Sequence, residues 1–417
     1  EADRPTVPDA ENSALQIIKV YRLIRVANLG ASKNFEQIFE KLTPTTQLNS
    51  QQINVIRVDF AKILPGGLDE ARKLKDMPRG RFPIKYSDDF ISSLIPEHQN
   101  ARGVGYLLQH DAYLLAQDRK DDAAMGSCRA ILNTGRSMQD DLFLISLLIR
   151  IALHAMCCDT LERVLAQGTP SEDALHKMQT ALEQESQVNQ WLIAIRGERG
   201  GTHHLFENVR TGKASLGGLL GMSRGGGGGG RGFDEWFIDT FPILMVKDYP
   251  EHLHFMNRCV EIAKLPIHER HARLAEWEMD RKKTKSSVTK LLAPGLAKVH
   301  TAECRSQAML RSVAAALACE RYRLRHGEWP KSLDVLVQEK LLGAVPMDPM
   351  DNLPLRFRRT KDGIVIYSIG LDKADNQGNV DRSRAAAPGV DIGFRMWDPN
   401  KRRGAPLPPI AMPEVEQ

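Results

Sequence analysis

Nowhere in the 417-residue sequence do eighteen apolar residues run together, so no stretch reads as a membrane-spanning helix. An excess of charge of one sign is missing too: 57 Lys and Arg stand against 52 Asp and Glu, a net charge of +5. The basic runs Arg281–Lys283 and Lys401–Arg403 are short and carry no interleaved aromatics, so we expect no nucleic-acid partner. Cysteine is sparse. The six residues Cys128, Cys157, Cys158, Cys259, Cys304 and Cys319 permit disulfides without requiring them, and no C-x-x-C pair occurs. H-E-x-x-H is absent, and no Gly-Lys-Ser/Thr follows the glycines, which removes the zincin and phosphate-cradling motifs. The chain begins at Glu1, not Met, so we expect a processed or trimmed form. Any membrane attachment would then run through an N-terminal anchor that has been removed.

What is present is ordinary globular material, 42% hydrophobic and 26% charged, and enough chain for two or three domains. Residues 1–10, with two prolines, read as a linker. From 11 to 303 the apolar spacing is helical. The clearest segments are about 99–117, 121–134, 139–167 and 171–186, joined by short polar turns, so consecutive helices should pack as antiparallel hairpins. Thr169-Pro170-Ser171-Glu172 offers an N-cap, a proline at the first helical position and a glutamate three residues after the cap. Tyr106–Ala124 resembles half of a tetratricopeptide-type (TPR-like) unit, although no second copy recurs at a 34-residue period. The segment 215–232 contains six consecutive glycines and reads as a flexible insertion.

The stretch from Ser306 to Asp381 is more specific. It opens with a helix in which Leu310, Val313, Leu317 and Leu324 recur at helical spacing, with Gly327 placed for a left-handed C-cap. Glu328-Trp329-Pro330 follows, then a short helix to Leu342 and the turn at Asp348-Pro349. Two alternating runs, 353–359 and 364–368, meet at Lys361-Asp362-Gly363, a hairpin signal. An oxygen-rich loop closes the stretch, and 390–397 offers one more strand. The prolines of 399–417 imply an extended, mobile tail. The fold class expected is α+β, a mainly helical hairpin domain followed by a small domain (304–398) with a long helix packed on an antiparallel sheet.

That order of features, with Tyr322–Pro330, the Asp348-Pro349 turn and Tyr367–Asp372 leading into an acidic loop, resembles the globular head of the type II secretion major pseudopilin. The resemblance implies an extracytoplasmic setting, periplasmic or at the cell surface, and a calcium-binding loop. Carried over, the ligands would be the Ile369 carbonyl, Asp372 and Asp381; Arg382 stands where a further acidic residue is usual, and Asp375 could take its place. Independently of the resemblance, Asp372, Asp375, Asn376, Asn379 and Asp381 are the hard oxygen donors that calcium takes. A filament-forming pseudopilin has an apolar helix directly ahead of its head. Here 291–300 is short and interrupted by Pro294, so polymerisation of that kind is not expected.

Two further motifs carry candidate chemistry. Gly221-Met222-Ser223-Arg224-Gly225 fits a nucleophile elbow, yet no strand precedes it and glycines follow. His268 and His271 put two imidazoles on one helical face, and His252 and His254 lie upstream, short of a full zinc set. The sequence is therefore read as a non-enzymatic interaction or scaffold protein with a protein partner. The alternatives are a component of a type II secretion or pilus-like system, and a metal- or serine-dependent hydrolase using the His252–His271 cluster or Ser223.

Overall fold

The helix that organises the structure is longer than its apolar pattern indicates. In this computed structural model, residues 6–24, 39, 42–88, 90, 93, 95–214, 247–293, 295–384 and 387–409 are described. The long helices among them are α1 (Ser13–Ile24), α2 (Ser50–Ala61), α3 (Pro96–Gln117), α4 (Asp121–Arg136), α5 (Leu144–Gln167), α6 (Glu172–Ser186), α7 (Gln190–Arg210), α8 (Tyr249–Lys264), α9 (Ile267–Lys283) and α10 (Leu296–His326). Three strands, β1 (Arg356–Thr360), β2 (Gly363–Ser368) and β3 (Ile392–Trp397), form one antiparallel sheet in the order β1-β2-β3. The chain is mostly helical with a small antiparallel sheet, an α+β fold.

Helix α10 spans 31 residues, and the 303/304 boundary suggested by the apolar pattern falls inside it. Its middle, Val313-Ala-Ala-Ala-Leu-Ala-Cys319, is buried on all sides. Small side chains there let the backbone pass between α5 and α6 on one flank and β2 and β3 on the other. One apolar core therefore runs from Ile17 and Leu107 through Leu317 to Ile366 and Phe394, shared by the helical layers and the sheet. Leu324 is 37% exposed, because by then the helix has emerged from this core. Gly327 ends the helix at φ +79°, the left-handed cap expected of it.

The hairpin pairs Thr360 with Gly363 across Lys361-Asp362, as the Asp-Gly signal requires. All six residues of β2 are buried. Ile364 and Ile366 face the shared core, and Val365 and Tyr367 lie beneath the backbone of Gly378 in the following loop. Buried Asp348 ties the Asp-Pro turn to the hairpin. It accepts hydrogen bonds from Ser368 Oγ (2.8 Å), from the Met350 and Ile369 amides (2.9 and 3.0 Å) and from Arg356 Nη1 (2.5 Å).

Three local expectations are corrected. The N-cap of α6 is Ser171, whose hydroxyl accepts from the Ala174 amide at 3.3 Å, and not Thr169. Asp121 and Asp122 take the Thr169 and Ser171 amides at 2.9 and 2.7 Å, holding 169–171 extended and starting the helix two residues later. The described part of the tail, 399–409, is docked and opens with a 3-10 turn at Pro399–Lys401. Arg402 forks onto buried Glu320 at 2.8 and 3.0 Å, and Arg403 bonds the carbonyls of Ala116, Gln117 and Gln167. Helix α5 is long and apolar enough to cross a membrane by length and composition, with a mean hydropathy of 1.7, and here it lies largely inside the protein.

Candidate functional site

Where α5 and α10 run together beside the start of β3, the surface opens into a groove of about 260 Å³. Its walls are apolar, with Leu148 and Ile151 from α5, Met309 from α10 and Ile392 from β3. On α5, Leu148, Ala152 and Ala155 line the groove, and Ile145 continues the stripe beyond it, at spacings of three and four residues. Ile145 is 43% and Leu148 37% exposed, so the stripe lies open to solvent.

The floor is polar. Ser306 Oγ lies 3.1 Å from Nδ1 of His154, whose Nε2 sits 2.8 Å from Glu185 Oε1. The second contact is close but does not align as a hydrogen bond. Glu185 is buried and is the hub of a cation cluster: Arg150 Nε donates to it at 2.7 Å and Arg136 Nε at 3.0 Å. Burial opposes its ionisation, but Arg150, His154 and Arg136 outweigh that and hold the carboxyl well below the usual range. Burial likewise pushes His154 down, against the pull of Glu185, so the imidazole is neutral at pH 7. Its unprotonated ring can then accept from or donate to the serine according to tautomer.

At the rim, Arg382 pairs with Asp159 and lies 2.5 Å from Glu162. Burial pushes Glu162 up to about 6, with Arg382 working the other way. Arg305, half-buried on α10, lines the groove and makes no ion pair among the described residues. The site therefore combines an apolar wall, an unpaired cation and a neutral hydroxyl–imidazole pair. That chemistry suits an apolar ligand carrying a carboxylate.

The residues singled out from sequence lie elsewhere. In the oxygen-rich loop, Asp372 accepts the Ala374 and Gly389 amides at 3.1 and 2.7 Å, and Asp375 accepts the Gln377 amide and the Tyr367 hydroxyl at 2.8 and 3.1 Å. Asp381 accepts from Arg384 at 2.9 Å, and the Ile369 amide is bound to Asp348. Buried Asp391, which the pattern did not single out, takes the Asn376 and Gly378 amides at 3.2 and 2.7 Å and fixes the loop's shape. Arg382, beside Asp381 in sequence, turns away to α5. Ser223 and its flanking glycines lie outside the described residues.

The histidines divide between two places. His252, on α8, is buried against the Phe206 ring with centroids 5.7 Å apart, and burial pushes it down to about 4. His271, on α9, faces His300 of α10 instead. His154, Ser306 and Glu185 escaped the pattern because they sit on apolar helices up to 152 residues apart in sequence. Comparison of the chain with protein-family models, with curated proteins and with solved structures gives no match.

Proposed function

We propose that the protein is a non-enzymatic interaction protein whose α5–α10 groove receives an apolar segment of a protein partner ending in a carboxylate. The observation that carries this reading is the exposed Ile145–Leu148–Ala152–Ala155 stripe leading to the unpaired guanidinium of Arg305. A helix that leaves large apolar groups in water beside an uncompensated cation presents both halves of an anionic, apolar ligand's requirements. The reading draws on the pseudopilin resemblance for α10 and its sheet and on a TPR-like reading of the helical hairpins ahead of them. On that resemblance rest an extracytoplasmic setting, membership of a secretion or pilus-like assembly, and calcium in the 369–381 loop.

A pool of apolar heptapeptides with free C-terminal carboxylates, compared with the same pool amidated, tests the reading by fluorescence polarisation. Binding of the acid pool, weakened about tenfold or more by amidation or by Arg305→Glu and abolished by Leu148→Glu, is expected. Equal affinity for the two pools, or no binding by either, would overturn it.

The Ser306–His154–Glu185 sequence of contacts favours one other reading, a serine hydrolase. Against it, Ser306 lies mid-helix, where the neighbouring amides are already bonded within α10 and cannot form an oxyanion hole. Labelling of Ser306 by a fluorophosphonate, lost in His154→Ala, would displace the binding reading in its favour.

A further inference from the structure

The sequence offered His268 and His271 as two imidazoles without enough companions. The fold supplies companions from a helix that the pattern had not connected with them. His268 and His271 stand one turn apart on α9; His300 and Cys304 stand one turn apart on α10, and the two helices pack together. All four side chains line one cavity of about 40 Å³, together with Met350 and Lys373.

We propose that this cavity binds a borderline-soft divalent metal ion, zinc in the first instance, through His300, Cys304, His271 and His268. Three features support the assignment. Cys304 Sγ lies 3.3 Å from His300 Nε2. Two ligands on one tetrahedral zinc, with Zn–S of about 2.3 Å and Zn–N of about 2.0–2.1 Å, stand about 3.5 Å apart, so this pair is already at ligand spacing. The other nitrogen of His300 lies 3.4 Å from Glu303 Oε2, and Glu303 is held by Arg270 at 3.3 Å. A carboxylate behind the non-ligating nitrogen fixes the tautomer that leaves Nε2 to the metal, as second-layer carboxylates do in zinc proteins. Finally, the cavity, at about 40 Å³, has room for an ion.

The two α9 ligands complete the set from the open side. The His271 ring centroid is 6.5 Å from that of His300, and among the described residues no three such side chains stand in a coordinating array as placed. His271 is exposed and His268 partly so, and the assignment requires both to turn toward the pair by side-chain rotation. Lys373 at the rim repels an incoming cation, and its exposed side chain is free to swing clear.

The test is titration of the full chain, free of any polyhistidine tag and stripped with chelator, with Co²⁺ and then Zn²⁺. One equivalent of Co²⁺ should give the intense visible bands of a tetrahedral site with a thiolate-to-cobalt charge-transfer band, both bleached by Zn²⁺. Cys304→Ser should remove the charge-transfer band, and His271→Ala should weaken binding by about a hundredfold or more, since changing even the partners behind the ligands costs about ten- to a hundredfold. His254→Ala, outside the cavity, should change nothing. Circular dichroism melts establish that each variant is folded. Cobalt binding without the thiolate band, binding untouched by Cys304→Ser and His271→Ala, or no binding at all would overturn the assignment.

Discussion

Replacing Arg402 with Ala removes a guanidinium that is 4% exposed from a carboxylate, Glu320, that is fully buried. Both oxygens of Glu320 are taken by the fork of Arg402, at 2.8 and 3.0 Å, and Arg402 Nη1 also donates to the Gly168 carbonyl at 2.7 Å. Breaking a buried ion pair by removing one partner costs about 3–5 kcal/mol, because the other charge stays behind without water. Glu320 keeps Arg323, at 2.8 and 2.9 Å, so the lower end, about 3 kcal/mol, is expected. Unfolding entropy of about 2.1 cal/mol/K per residue makes 1 kcal/mol worth about 1 °C in a chain of this length, so Tm should fall by about 3 °C. A urea midpoint measured alongside reads the same loss with better resolution. The cycle with Glu320→Gln should be non-additive, the double variant losing less than the sum of the singles, since neither leaves the other's charge stranded. A Tm within about 1 °C of the parent, or strict additivity, would show that the tail is not anchored by this pair.

Glu185→Gln should cost about 3–5 kcal/mol by stranding Arg136 and Arg150, read as a lowered urea midpoint. Because the folded carboxyl of Glu185 is depressed, its contribution is complete above the unfolded value of about 4.3 and is lost as pH falls through the folded value; the variant should close on the parent in acid melts. Gly197→Ala, which at an ordinary helical site would stabilise by about 1 kcal/mol, should destabilise by about 1–3 kcal/mol in urea melts. A Cβ there would stand 1.9 Å from the Leu142 carbonyl oxygen, backbone that has nowhere to go. If the 369–381 loop takes calcium, millimolar calcium should raise Tm reversibly with chelator and Asp372→Asn should abolish the shift; unchanged melting would remove calcium from that loop.

Local chemistry was the legible part of this chain. Gly327 and Lys361-Asp362-Gly363 act through their own backbone preferences, and both do in the structure what their residue types demand. The start of α10 was not legible, because His300 and Glu303 interrupt the apolar pattern; in the fold they satisfy each other and Arg270. The tail shows the same limit. Composition says nothing about Arg402 and Arg403 finding carbonyls and a carboxylate on α3, α5 and α10. Groove and cavity alike are built from residues that face each other across helix pairs, and single-helix periodicity contains no information about which faces meet.

A helix of 31 residues measures about 46 Å at 1.5 Å per residue, and α10 has no proline or glycine along its length. Such a strut carries torque. A pull applied to the strands is delivered along it to the opposite end of the molecule with no joint to absorb the rotation. Severing it to study either half separately would expose the alanine-rich middle to water on the cut piece, so each fragment should aggregate more readily than the intact chain.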